Sequence, residues 1–244
     1  MSRGFRIMAE GDYALFTRPE MKVERVSYDV PTPGALEGML KSIYWKPAIR
    51  YKIDKIIVFN PIHFTGVRRN EVKDKILFQN MKGQMNGKGN DPCIYTSTLE
   101  ERTQRASMLL KDVCYGIEFH FDMTGLKSTH DDEDEKKHYN IIKRRLEKGQ
   151  CFRTPCFGCA EFPVRKIELV EDFDMNRISP EIIAMGDVDL GFMSYRLEFK
   201  DNGIPLNNNW DDPIFSDKAS TKYYRPHMIN GIIDVRRYKE MMKC

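Results

Sequence analysis

The chain has 244 residues, a length that fits one or two domains and can bury a core without disulfide or metal staples. Hydrophobic residues make up 41% and charged residues 31%, with a mean hydropathy of −0.54; this is a globular composition, neither disordered nor membrane-spanning. Lys+Arg is 39 against Asp+Glu 36, so the net charge is +3 and the pI about 8.4. Such a balance permits a polyanionic partner without demanding one. The N-terminus lacks an extended apolar run, so a secretory leader is not expected, and the six cysteines read as reduced thiols of a cytoplasmic protein.

A strand is predicted over 5–9, broken at Gly11-Asp12 and resumed over 13–16, with a second extended piece over 25–29. The clearest helix follows. Thr32 suits the N-cap, Pro33 the first helical position, and Leu36, Met39, Leu40 and Ile43 recur on one face. Pro47 requires the helix to stop near Trp45, which leaves Tyr44 in or just after its last turn.

Residues 49–59 read as a long strand. The stretch 60–105 carries no clear period, and Lys82, Gly83, Asn86, Gly87, Lys88, Gly89 and Asn90 predict a mobile basic loop. Val113, Tyr115, Ile117, Phe119 and Phe121 alternate with polar residues as a half-buried strand that Gly125 ends. Five acidic residues, 131–135, precede a helix with Ile141, Ile142 and Leu146 inward and Gly149 as its stop. An irregular segment, 150–158, then leads into a strand over about 159–170.

The order strand, helix, strand, strand, helix, strand over the first 170 residues predicts an α+β protein. Its N-terminal domain would be ferredoxin-like (RRM-like) βαββαβ, residues 1–170. Strand candidates at 192–199 and 223–228 predict a smaller C-terminal antiparallel β-sheet domain, residues 171–244.

Walker-type, HExxH and GxSxG motifs are absent. Cys156-Phe-Gly-Cys159 has no second ligand pair, so the expectation is thiols and no metal or other cofactor. Lys137-His138 stands at a helix start, where free N–H groups and the dipole suit a phosphate. An imidazole there can exchange a proton near neutral pH, and an ammonium can stabilise charge growing on phosphorus. A solvated cationic helix start is the plainer alternative. Tyr44 alone reads as a half-buried aromatic, although an RRM-like sheet can offer aromatics for base stacking.

Gly11-Asp-Tyr-Ala-Leu-Phe16, Ser42-Ile-Tyr-Trp-Lys-Pro47, Gln104-Arg-Ala-Ser107, Leu110-Lys-Asp-Val113, Lys137-His-Tyr139, Gly149-Gln-Cys-Phe152 with Gly158-Cys159, Asp189-Leu-Gly191 and Tyr224-Arg-Pro-His227 occur in that order. Together they resemble the type I-C (Dvulg subtype) branch of the CRISPR-associated Cas-five family. Ala160 stands where the family usually carries Arg.

The resemblance implies an endoribonuclease that cuts CRISPR repeat RNA (pre-crRNA) at the base of its hairpin. The enzyme then stays on the crRNA 5′ handle with the backbone and large subunits of the type I-C surveillance complex, in antiviral defence. The family's catalytic Tyr, Lys and His fall on Tyr44, Lys137 and His138. They imply metal-independent attack by a ribose 2′-OH, with His138 and Tyr44 handling its proton and Lys137 stabilising the phosphorane. Lys46, Lys136, Arg145 and Arg153 are the expected RNA contacts; duplex DNA stays open as a further partner, and no membrane is expected. A non-catalytic scaffold that binds the crRNA handle is the alternative the sequence leaves standing.

Overall fold

The computed structural model describes residues 4–21, 23–88, 97, 99–126, 134–201, 203–209 and 212–241. The strands are β1 (Phe5–Ala14), β2 (Arg25–Val26), β3 (Ile49–Val58), β4 (His63–Val72), β5 (Arg102–Met123), β6 (Lys166–Leu169), β7 (Asp187–Asp189), β8 (Met193–Phe199), β9 (Ala219–Tyr224), β10 (His227–Ile229) and β11 (Ile232–Asp234). The helices are α1 (Pro33–Ile43), α2 (Phe78–Met85), α3 (Glu135–Lys148) and α4 (Pro180–Ala184). No described helix is long and apolar enough to cross a membrane.

The architecture is mixed α+β around a mostly antiparallel sheet in the order β6-β1-β5-β3-β11-β10-β7. β5 organises it. One of its edges carries β1, from Phe5↔Phe119 to Ala14↔Leu110. The other carries β3 along 115–123 and β4 along 102–111. At its 22 residues β5 is roughly 70 Å long, so its first half runs out beyond the core as an arm with β4. Asp112, with φ +52°, lies where β4 pairing gives way to β3 pairing.

One cluster forms the core. Ile7, Ile53, Ile117, Phe119 and Phe121 from the sheet meet Leu36, Met39, Leu40 and Ile43 of α1 and Ile142 and Leu146 of α3. Thr32 caps α1 as its sequence predicts, accepting a hydrogen bond from the Ala35 amide, and Pro33 occupies the first turn. Gly149 closes α3 at φ +62°.

Three local expectations need correction. β1 runs through Gly11 without a break, because a Cβ there would lie 2.9 Å from the Phe157 ring; the glycine admits the ring and does not end the strand. The stretch expected to be a loop holds β4 and α2. Neither packs into the core, so neither carries a core-facing period: α2 buries no residue and exposes Phe78, Met81 and Met85, with Leu77 exposed at its N-cap. The predicted strand over 159–170 shrinks to β6, after an irregular turn held by the Cys156↔Pro163 bridge. Gly89, Asn90 and acidic residues 131–133 lie outside the described residues.

From residue 171 onward, β11 pairs with the free edge of β3 and extends the main sheet through β10 and β7. The β10–β11 turn is Asn230-Gly231, both at positive φ, the type I′ geometry. β8 and β9 form a separate two-stranded sheet whose strand β8 packs on α1. Gly34 makes that approach possible, since a Cβ there would lie 2.9 Å from the Tyr195 carbonyl.

Candidate active site

α1 ends at Tyr44, whose amide still bonds to the Leu40 carbonyl while its own backbone is already extended (φ −152°, ψ 130°). The turn is fixed from below by Tyr51, whose hydroxyl donates to the Tyr44 carbonyl at 2.7 Å. Burial pushes the Tyr51 phenol well above its ordinary pKa, so it stays a neutral donor. The Tyr44 ring therefore points into the space between α1 and α3.

α3 meets it there. His138 is the fourth residue of the helix, and its amide makes the first-turn bond to the Asp134 carbonyl at 3.2 Å. The imidazole Nδ1 lies 2.9 Å from the Tyr44 hydroxyl, a contact across 94 residues of sequence. With the phenol as donor, Nδ1 accepts and the ring proton sits on Nε2; the other tautomer reverses the bond. Phe121 of β5 meets the imidazole edge-on at 6.4 Å. Both polar rings are closed to water, at 5% exposure for Tyr44 and 0% for His138.

The remaining sequence-predicted residues surround this pair unequally. Lys137 is half-buried and, one position along the helix, projects about 100° away from His138. Lys136 is exposed on the same turn, and Lys46 is half-buried two residues beyond Tyr44. Arg145, in the last turn of α3, lays its guanidinium over the Tyr44 ring at 5.2 Å and donates to the Ile43 carbonyl. It thus holds the C-terminal ends of the two helices together. Arg153 is exposed beside Phe152, its guanidinium 5.9 Å from that ring. The amides of Phe152 and Arg153 both donate to the Ser42 carbonyl, at 2.9 and 3.0 Å, and so dock the 150–158 segment on the end of α1.

Sequence reasoning missed Tyr51, Ser42 and Phe152 as supports of this site. Their roles rest on backbone carbonyls that become available only where α1 stops, and no residue pattern reports that. Cys156 and Cys159 are half-buried, and burial raises the Cys156 thiol pKa. Among the described residues no group of three His, Cys, Asp or Glu side chains could hold a metal ion.

The geometry supplies a phenol and an imidazole in contact, a helix N-terminus beside them, and cations on the surrounding surface. That set can move a proton and meet a phosphate.

Residues 6–236 match the family described as CRISPR-associated protein (Cas_Cas5). A curated relative from Mannheimia succiniciproducens, named CRISPR pre-crRNA endoribonuclease Cas5d, is 43% identical over 235 residues, 96% of each chain. A second of that name from Thermus thermophilus is 39% identical over 158 residues, 65% of this chain and 61% of the relative. Among solved structures, one titled as a CRISPR-associated protein superposes with a TM-score of 0.60 at 24% identity, covering 96% of this chain and 91% of that one. A functionally uncharacterized protein from Streptococcus mutans gives the same TM-score and identity, covering 95% and 91%.

Proposed function

The chain belongs to the CRISPR-associated Cas5 family, in its Cas5d branch, and from that membership we propose that it is a pre-crRNA endoribonuclease acting at the Tyr44–His138 pair. The observation that carries the reading is the 2.9 Å contact between the Tyr44 hydroxyl and His138 Nδ1, two groups that the sequence sets far apart and the fold brings together.

The substrate is CRISPR repeat RNA. The ribose 2′-OH before the scissile phosphate attacks phosphorus in line and passes its proton to the imidazole of His138. The new 2′-O–P bond replaces the P–5′-O bond, and the leaving 5′-oxygen takes up a proton from water. The products are a 2′,3′-cyclic phosphate and a 5′-hydroxyl, and no metal takes part. In this step Nδ1–H of His138 donates to the Tyr44 hydroxyl, which orients the ring and leaves Nε2 to accept the proton, while Lys137 with the first-turn amides of α3 offsets the charge on the phosphorane. Arg145 is a positioning residue that keeps Tyr44 in place; Lys46, Lys136 and Arg153 meet the RNA backbone.

The unit built from β1, α1, β3, β5, α3 and β6 is ferredoxin-like, supported by the strand order β6-β1-β5-β3, with every neighbour antiparallel. Residues 1–170 form this RNA-processing unit, and residues 171–244 add β7 to β11 to its edge and to α1. The protein works in the cytoplasm and stays on the crRNA 5′ handle beside the subunits of a surveillance complex. The apolar residues exposed on α2 are the surface offered to those subunits.

The burial of both rings favours a second reading, a handle-binding scaffold in which the phenol–imidazole pair only joins α1 to α3. Incubation with end-labelled repeat RNA separates the two. The nuclease gives a single cut with a cyclic phosphate end, insensitive to EDTA and abolished by a 2′-deoxy nucleotide at the cut. A scaffold binds the same RNA and leaves it whole.

A further inference from the structure

On the side of α1 away from His138 lies a groove of about 380 Å³ that the nuclease chemistry does not use. It is bounded by the end of α1, the start of β3, the residues after β5, and β8 with described residues of the loop that follows it. Trp45 stands at its mouth, 52% exposed. Tyr44 has an extended backbone, and successive side chains on extended backbone point to opposite sides. Tyr44 therefore turns in toward His138 while the next residue turns out to this groove.

Glu37 forms part of the groove's inner wall. Its side chain is 5% exposed, and its Oε1 has no hydrogen-bond partner among the described residues. Burial raises its pKa even though Lys41, Arg196, Lys52 and Arg50 all pull the other way. A buried carboxyl without a direct protein partner is costly, and a donor brought by a ligand would relieve that cost. The rim side chains Lys41, Leu197 and Phe199 are exposed and long enough to swing aside for a flat ligand.

We infer that this groove takes an unpaired guanine of the RNA, adjacent to the linkage cut at Tyr44–His138, stacking it on Trp45 and reading its edge with the Glu37 carboxylate. The inference rests on the nuclease reading above and deepens it by naming the base recognised. Guanine is the base whose edge presents two adjacent donors, N1–H and the 2-amino group. A carboxylate accepts both at once in a charge-assisted pair. Adenine and cytosine offer it a single amino donor, and uracil offers one N–H flanked by two carbonyls. An indole stacks on any base, so Trp45 supplies affinity and Glu37 selectivity. Lys41 and Arg50 at the rim face the neighbouring phosphates.

The test uses the full chain and fluorescein-labelled heptamers of uridine carrying at their centre guanosine, inosine, adenosine or uridine, with binding read by anisotropy. The guanosine oligomer should bind about tenfold tighter than all-uridine RNA, as expected for one bidentate edge contact. Inosine, which lacks the 2-amino group, should lose most of that gain. Glu37→Gln is nearly isosteric and should abolish the preference for guanosine over inosine while keeping the all-uridine affinity. Trp45→Ala, at an exposed position, should weaken every oligomer by a similar factor. Equal wild-type affinity for guanosine and uridine oligomers, or an unchanged preference in Glu37→Gln, overturns the proposal. These oligomers carry no repeat hairpin, so the readout is independent of cleavage. Repeat RNA left uncut would defeat the nuclease reading alone, whereas normal cutting without guanine preference would defeat the pocket alone.

Discussion

Tyr44→Phe separates a working phenol–imidazole pair from a merely structural one, because the two roles leave different traces. The substitution keeps the ring, its packing and the Arg145 guanidinium above it, and deletes only the hydroxyl that meets His138 Nδ1 at 2.9 Å. The pair is buried, so the loss is more than one exchanged hydrogen bond: a ring nitrogen loses its partner where water does not reach. That costs about 2 kcal/mol, which for a chain of this length lowers Tm by about 4–8 °C. Both roles predict this shift. They part in the cleavage rate measured well below Tm. If His138 takes the proton of the 2′-OH, His138→Ala should slow cleavage by about 10²–10⁴-fold. Tyr44→Phe should slow it about tenfold by loosening the imidazole, and the double variant should be no slower than His138→Ala alone, since a positioning group has nothing left to position. The assay is single-turnover cleavage of repeat RNA, with binding measured in parallel. Wild-type rates in both single variants, alongside the expected fall in Tm, would refute the catalytic assignment and leave the pair as a structural joint between α1 and α3 in a nuclease that cuts elsewhere.

Arg145→Lys should lose the stacking on Tyr44 and the bond to the Ile43 carbonyl, and so cut the cleavage rate by about tenfold despite retaining the charge, measured by the same single-turnover assay. Glu37→Gln should be more stable than the wild type at neutral pH but not under acid conditions. The folded protein raises the Glu37 pKa, so the group's contribution is present below its ordinary carboxylate range and lost as pH rises through the folded value; paired urea melts from pH 4 to 8 should show the gap opening upward. Gly149→Ala should cost only about 1 kcal/mol, because its φ is +62° but the space around it is open. Gly158→Ala should fail to give folded protein in a solubility and thermal-melt screen, because its Cβ would sit 2.0 Å from the Leu15 carbonyl oxygen at φ +85°.

The legible parts of the fold are those where one residue type answers one backbone need. Thr32 and Pro33 mark the start of α1, Gly149 marks the end of α3, and alternation along 113–121 marks the inner half of β5, because capping and burial on one face are local demands. The arm was not legible for the same reason inverted. β4 and α2 stand off the core, so their apolar residues follow no burial period, and Gly83 inside α2 reads as a breaker. Gly83 is there because a Cβ would lie 2.8 Å from the Lys88 carbonyl, a contact that exists only once the chain has folded back. The C-terminal strands were visible as strands, but their joining to β3 was not. Pairing partners are a long-range property, and the Asn230-Gly231 turn fixes β10 against β11 without saying where that hairpin docks.

The site divides along the same line. That Tyr44 and His138 belong together could be read through family resemblance, but their enclosure could not. Phe121 meets the imidazole from across the sheet, Arg145 about two helix turns beyond His138 covers the Tyr44 ring, and the amides of Phe152 and Arg153 hang on the Ser42 carbonyl at the end of α1. This has a mechanistic consequence. A fully buried imidazole cannot reach a ribose hydroxyl unless part of that cover moves. At Phe152 and Arg153 the side chains are exposed and the hold on α1 is two amide bonds to one carbonyl, whereas Phe157 further along the same segment is anchored in the core. An RNA backbone arriving at Arg153 would pull on the same segment. If these residues are the part that moves, substrate binding and exposure of His138 are one event. Hydrogen exchange of the Phe152 and Arg153 amides should therefore speed up on adding a 2′-deoxy, uncleavable repeat RNA, while that of the Tyr44 amide in the last turn of α1 stays slow. Equal protection at 152–153 with and without RNA would show that this stretch does not move when RNA binds, and would refute its coupling to the exposure of His138.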